Sequence, residues 1–213
     1  MISINDLNPH LLTAEYAVRG PIVIRAQELE KQGKKIIYCN IGNPQALQQK
    51  PLSYIRQILS LMENPELLNH PQLSTVFPQD IIEKAGKLHQ LMPHGTGAYT
   101  QSAGTPFIRQ AVAEFINKRD GIPASEGNII LTDGASKGVS AVLTALLKKP
   151  TDGFMIPIPQ YPLYSATIEL IGGSQVGYYL DEENSWQLNE EILTKSLSDA
   201  KSKGINPVAI VVI

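Results

Sequence analysis

A turn of small residues joins a short apolar run to a helical pattern and could bind an anion. Ile129–Thr132 is typical of a buried strand, and Asp133, Gly134, Ala135 and Ser136 lead from it into an apolar helix. The first N–H groups of a helix have no partner within the helix, and the helix dipole places positive potential on them. The small side chains let an anion approach these groups, and the Ser136 hydroxyl adds a donor. The turn predicts a phosphate site, while tight strand–helix packing alone would use the same residues.

A tyrosine flanked by prolines follows the next apolar run. Phe154–Ile158 predicts a buried strand, and Pro159 and Pro162 restrict the backbone around Tyr161. A fixed aromatic ring at the carboxyl end of a strand can stack on a planar ligand. A phosphate site beside a stacking ring indicates a flat phosphorylated cofactor such as pyridoxal phosphate. Neither segment has the spacing of a P-loop or of the dinucleotide motif G-x-G-x-x-G.

The elements that must position these residues alternate between strand and helix from residue 129 onward. This alternation predicts an α/β layer with a mainly parallel sheet. Gly20-Pro21 interrupts the first helical pattern, and the predicted domain boundary lies near residues 90–98. Apolar periodicity predicts helices over 13–32, 51–63, 79–91, 105–119, 137–148, 162–171 and 188–203, and strands over 36–38, 129–132, 154–158, 176–180 and 208–213.

Several segments closely resemble the alanine aminotransferases, which belong to the class I, fold-type I aminotransferases that use pyridoxal 5'-phosphate. They are Asn40–Gln45, Thr132–Ser136 and Ile156–Tyr164, and the similarity extends to Ile213. The resemblance implies a three-layer α/β/α large domain with a mainly parallel sheet, preceded by an N-terminal helical arm and small-domain segment. Residues 1–94 would form the arm and part of the small domain, and residues 95–213 the first half of the cofactor-binding large domain.

The resemblance also implies roles for individual residues. Ala135 and Ser136 would bind the cofactor phosphate, Gly134 would permit the turn, and Tyr161 would stack on the pyridine ring. These are the expected cofactor-binding residues of this chain.

Two further residues receive roles from the same resemblance. Tyr99 matches the tyrosine that reaches across a homodimer to the phosphate of the neighbouring active site, with an ordinary loop aromatic as the alternative. Gly42 would line the substrate carboxylate site through its backbone.

The resemblance implies transfer of an amino group from L-alanine to 2-oxoglutarate, giving pyruvate and glutamate. No catalytic residue is expected in this chain, because the family's Schiff-base lysine would lie downstream of Ile213, and the sequence reads as an amino-terminal half. Lys137 is expected to add charge to the phosphate or to face solvent, because an ammonium group beside a phosphate stays protonated. The alternatives are a transaminase or lyase of other substrates, and a non-catalytic half-protein that binds the cofactor weakly or pairs with a partner chain.

Composition and charge argue against several other classes of function. The 213 residues carry a formal net charge of −2 and no basic run, which argues against nucleic acid as a partner. The single cysteine, Cys39, excludes an internal disulfide and favours a reducing compartment. No secretory pattern and no apolar run near 20 residues is present, so we expect a cytoplasmic protein without membrane contact, a removed transit peptide being the alternative. His89 and His94 straddle a predicted helix end, and no metal site is expected.

Overall fold

The computed structural model describes residues 3–16, 20–39, 42 and 44–213. Contacts divide the chain into two compact units, a sheet unit of residues 1–41 and 132–213 and a helical unit of residues 42–131. The predicted division at residues 94 and 95 groups the chain differently and stays a prediction. Asn40, Ile41 and Asn43, which flank the predicted substrate-site residue Gly42, lie outside the described residues.

The sheet unit contains a three-stranded parallel sheet in the order β2–β1–β3. Its strands are β1 (Asp152–Ile158), β2 (Ser174–Tyr179) and β3 (Asn206–Ile210). The central strand β1 is buried over six of its seven residues, as is typical of a parallel strand covered on both faces. The predicted parallel sheet is confirmed.

Helices cover both faces of this sheet. On one face, α7 (Ala135–Leu146) and α8 (Leu163–Leu170) pack around a core of Leu143, Phe154, Ile156 and Ile168. On the other face, α9 (Glu190–Ser202) packs through its Ala200 over Met155, Val176 and Tyr178. The result is a three-layer α/β/α arrangement, as predicted.

Two N-terminal helices also belong to the sheet unit. Asn8 caps α1 (Pro9–Thr13), and α1 packs on α8, where the Thr13 hydroxyl donates to Glu169 Oε1 at 2.7 Å. Helix α2 (Pro21–Lys31) begins at Gly20-Pro21. The pattern over 13–32 therefore forms no single helix, because proline at the first helical position starts a new one.

The helical unit is built around an apolar cluster between α3 (Ser53–Glu63) and α5 (Gln79–Leu91), whose predicted ranges agree closely with the structure. The same unit contains the short α4 (Leu73–Val76) and α6 (Pro106–Asp120), which ends at Gly121 with a φ of +68°. The cluster comprises Ile58, Leu61, Met62, Leu73, Ile81 and Ala85. None of the helices in the described ranges has the length and apolar character needed to span a bilayer.

Two predicted strands are absent from the described part of the chain. Residues 36–38 and 129–132 have no regular secondary structure, and the Leu131 N–H donates to the Ala103 carbonyl at 2.9 Å rather than to a neighbouring strand. Short apolar runs do not by themselves identify a strand, because a strand also needs a partner for its backbone. The two strand predictions are wrong for this structure.

Candidate functional site

The topology brings the small-residue turn and the proline-flanked tyrosine to the same edge of the sheet. Helix α7 leads into β1 and helix α8 leads out of it, so both helices begin near the carboxyl ends of the parallel strands. Val139 near the start of α7 and Tyr164 near the start of α8 pack on the same core. In open α/β sheets, ligands bind outside the carboxyl ends of the strands, so this carboxyl edge is the candidate site.

The small-residue turn leaves the start of α7 open. Gly134 precedes the helix with a φ of +78° and a ψ of 169°, a conformation that is essentially restricted to glycine. The Thr132 hydroxyl donates to the Gly134 carbonyl at 3.0 Å and supports the turn. No side chain among the described residues caps the first turn, and a methyl group built on Gly134 would meet nothing within 4 Å. Ala135 and Ser136 are both exposed. The turn therefore presents accessible donors that fit a phosphate group.

The loop that carries Tyr161 is braced by side-chain hydrogen bonds. After the cis Ile158–Pro159 peptide bond, the Gln160 side-chain amide donates to the Ser165 hydroxyl at 3.0 Å. The Ser165 hydroxyl in turn donates to the Pro162 carbonyl at 3.2 Å. Tyr161 is 49% exposed, whereas Tyr164 is partly buried against the core. A held backbone with an accessible ring suits a stacking contact.

Sequence reasoning missed Tyr16, which contacts Tyr161. Their hydroxyl oxygens lie 2.8 Å apart, and their rings are edge to face with centroids 6.0 Å apart and an interplanar angle of 84°. Edge-to-face packing is a favoured arrangement of two aromatic rings. The two tyrosines are 145 residues apart in sequence, so no local pattern could have revealed the contact. The N-terminal segment thus reaches the loop that carries the candidate stacking ring.

The other residues with predicted roles lie in the helical unit or next to the small-residue turn of Gly134, Ala135 and Ser136. Gly42 is exposed, and the Tyr99 side chain is fully exposed. Lys137 follows the turn in the first turn of α7 and is also exposed. The structure therefore places the turn and Tyr161 at one edge, while the binding roles of these residues, like those of Gly42 and Tyr99, stay predictions.

The opposite edge of the sheet holds a buried carboxylate. Asp152 begins β1 with 3% of its surface exposed and accepts hydrogen bonds from Asn206 Nδ2 at 3.0 Å and the Lys148 N–H at 3.2 Å. The Asn206 hydrogen bond, and then the Lys148 one, holds the pKa of Asp152 below its usual value despite burial. Because its acceptors are used within the fold, this group joins strands and is separate from the candidate site.

Known proteins are similar to this chain in sequence and in fold. A family model described as "Aminotransferase class I and II" matches residues 67–213. Glutamate–glyoxylate aminotransferase 2 of Arabidopsis thaliana is 49% identical over 208 residues, covering 98% of this chain and 43% of that protein. A probable mitochondrial alanine aminotransferase of Dictyostelium discoideum is 47% identical over 225 residues, covering 100% of this chain and 42% of that protein.

A solved structure is similar to this chain in fold. The alanine aminotransferase from Pyrococcus furiosus superimposes with a TM-score of 0.66 at 26% sequence identity, covering 89% of this chain and 40% of that one. The chain spans less than half the length of these relatives.

Proposed function

The chain belongs to the class I and II aminotransferases, and from this premise we propose that its sheet unit binds the phosphate and ring of pyridoxal 5'-phosphate. The observation that carries the proposal is that the uncapped start of α7 and the half-exposed Tyr161 lie at the same edge of the sheet. Fold-type I aminotransferases use this cofactor, and the donors of the turn suit its phosphate.

Each part of this edge has a distinct task in the proposed site. The first-turn N–H groups of α7 and the Ser136 hydroxyl donate to the phosphate, and the helix dipole favours its negative charge. The Tyr161 ring would stack on the pyridine ring, and the hydrogen bonds of Ser165 hold the loop that carries it. The bound cofactor supplies the electron sink for chemistry at the substrate α-carbon. The residues of this chain therefore anchor and orient the group that reacts.

The reaction proposed for the whole protein is transfer of the amino group of L-alanine to 2-oxoglutarate, giving pyruvate and glutamate. Its support is four relatives named as alanine aminotransferases, from 45% to 47% identical. The names of two other relatives, 49% and 48% identical, favour glutamate and glyoxylate as a second substrate pair. Initial rates of the full-length protein with each donor and acceptor pair distinguish the two.

A homodimer and a cytoplasmic location complete the proposal. In a homodimer, the exposed Tyr99 would reach the phosphate of the neighbouring site, as the family resemblance implies. Some of the alanine aminotransferase relatives are named as mitochondrial, so location is tested by fractionation of the source cells.

The cofactor site is tested by substituting its two side chains in the full-length protein. Ser136→Ala removes a hydroxyl donor to a charged group, and Tyr161→Ala removes the stacking ring. We expect each to raise the Kd for pyridoxal 5'-phosphate about tenfold or more, since hydrogen bonds to charged groups and ring contacts each contribute about that much. The measurement is titration of the cofactor-free protein, followed by the cofactor's absorbance.

A matched control separates the site from the helix that carries it. Ser140→Ala lies one turn further along α7, away from the first-turn donors, and should leave the Kd unchanged. If Ser136→Ala and Tyr161→Ala together bind the cofactor as tightly as the unchanged protein, the site assignment is wrong. Cofactor binding without transamination of any substrate pair would favour the non-catalytic alternative.

A further inference from the structure

Pro157 is an unusual residue for the middle of the sheet. It lies in β1, which has β2 on one side and β3 on the other. Proline has no N–H and is normally restricted to edge strands and bulges, because it removes a hydrogen bond from the ladder. Its side chain is fully buried here. A carbonyl on one neighbouring strand must therefore lack its usual donor.

The register identifies that carbonyl as the one of Val211. The Val211 N–H donates to the Met155 carbonyl at 2.8 Å. In a parallel ladder, a residue that donates to one position of the neighbouring strand accepts from the position two residues later. For Val211 that position is Pro157, which has no hydrogen to donate.

A side chain from the far side of β1 supplies the missing donor. Tyr178 lies on β2 beside Pro157, and its hydroxyl donates to the Val211 carbonyl at 2.5 Å. The side chain thus crosses over the central strand at the proline. Only 1% of Tyr178 is exposed, and burial raises the pKa of its hydroxyl, which keeps the proton that the bond requires.

We propose that Tyr178 is a positioning residue of the cofactor site, acting in place of the backbone N–H that Pro157 lacks. Its hydrogen bond holds the chain just after β3 at the carboxyl edge, where the start of α7 and Tyr161 also lie. Val211 packs against the same core as both helices of that layer, so a shift at Val211 would reach the start of α7. The link to the cofactor rests on the proposed function.

The experiment is a double-mutant cycle in the full-length protein with Tyr178→Phe, Pro157→Ala and both together. Pro157→Ala restores a backbone N–H that faces the Val211 carbonyl. The Pro157→Ala variant alone measures the effect of the side-chain volume that is lost with the proline ring. With proline retained, we expect Tyr178→Phe to raise the cofactor Kd about tenfold and to speed hydrogen exchange of the Val211 amide about tenfold, as for loss of one buried hydrogen bond. In the Pro157→Ala background, the same change should alter either quantity by less than about twofold.

Tyr179→Phe is the matched control, because Tyr179 is the next residue of β2 and is 69% exposed. This substitution should change neither the cofactor Kd nor the hydrogen-exchange rate of the Val211 amide. Equal effects of Tyr178→Phe in both backgrounds would overturn the idea that the hydroxyl replaces the proline's N–H. Faster exchange without a change in Kd would overturn the positioning role. Failure of the proposed function would appear separately, as an unchanged protein that does not bind the cofactor.

Discussion

The two edges of the sheet are built in opposite ways, although the same central strand runs between them. At the amino edge, Asp152 is buried and bonded to Asn206 and Lys148. At the carboxyl edge, Ser136 is exposed, the Tyr161 ring is half exposed, and no described side chain caps the start of α7. One edge satisfies its polar groups within the protein, and the other leaves donors available to a ligand. Polar groups that stabilise the fold thus lie at one end of the strand, and the proposed binding site lies at the other.

Two glycines show the same contrast. At the amino edge, a methyl group on Gly153 would lie 2.8 Å from Ile205 Cγ2 and 3.1 Å from the Ser174 carbonyl oxygen, so glycine is required there by lack of space. At the carboxyl edge, Gly134 has open space around it and is required for its positive φ. Packing selects the first glycine, and backbone conformation at the proposed binding turn selects the second.

The largest stability effect should come from the amino edge. We expect Gly153→Ala to lower the free energy of unfolding by about 2–3 kcal/mol, because the methyl group must displace a side chain and a neighbouring strand. Denaturant unfolding of the full-length protein measures this. The control is Gly86→Ala inside α5, where a methyl group meets nothing within 4 Å and a gain of about 0.5–1 kcal/mol is expected from helix propensity. A neutral Gly153→Ala would show that the amino edge is less tightly packed than described.

The next effect concerns pH at the same edge. The hydrogen bond from Asn206 lowers the pKa of Asp152, so the folded state binds the proton less tightly than the unfolded state. This contribution to stability is fully present above the ordinary pKa of 3.8 and is lost as the pH falls through the lower folded value. We therefore expect the stability difference between the unchanged protein and Asp152→Asn to shrink as the pH falls below 3.8, the ordinary pKa.

Unfolding curves recorded over a series of acid pH values test this expectation. Asn206→Ala keeps the Asp152 carboxylate but removes the main hydrogen-bond donor to it. The pH-dependent part of the stability difference from Asp152→Asn should therefore be smaller for this variant than for the unchanged protein. A difference that does not depend on pH would mean that the carboxylate is not stabilised by its neighbours in the folded state.

The smallest stability effect should come from the carboxyl edge. Ser136→Ala should change the free energy of unfolding by no more than about 0.5 kcal/mol, because the side chain is exposed and caps nothing in the described structure. The same denaturant experiment, without cofactor, measures it. A loss comparable to that of Gly153→Ala would remove the distinction between the two edges.

Elements bounded by clear signals could be predicted from the sequence. Helix α3 lies between Pro51 and Pro65 with apolar residues at helical spacing, and α5 occupies residues 79–91 as predicted. The start of α7 could also be predicted, because Gly134 marks the turn. The lack of a strand at 129–132 could not be predicted, since strand formation depends on a partner that local sequence does not specify.

The candidate site was predictable only where its residues are local. Gly134, Ala135 and Ser136 are adjacent, and Tyr161 is marked by its prolines. The contact of Tyr16 with Tyr161 and the bond from Tyr178 to Val211 join residues 145 and 33 positions apart. Such pairs depend on strand order and register, which a single sequence does not reveal.

The docking of α1 on α8 has a consequence for how the chain is made. Thr13 and Glu169 are 156 residues apart, whereas β1, α8 and β2 follow one another directly. During synthesis, α1 leaves the ribosome long before the helix that it packs against exists. Helix α1 must therefore wait for most of the sheet unit before it can dock. Chaperones and proteases would meet this segment while it is still unpartnered.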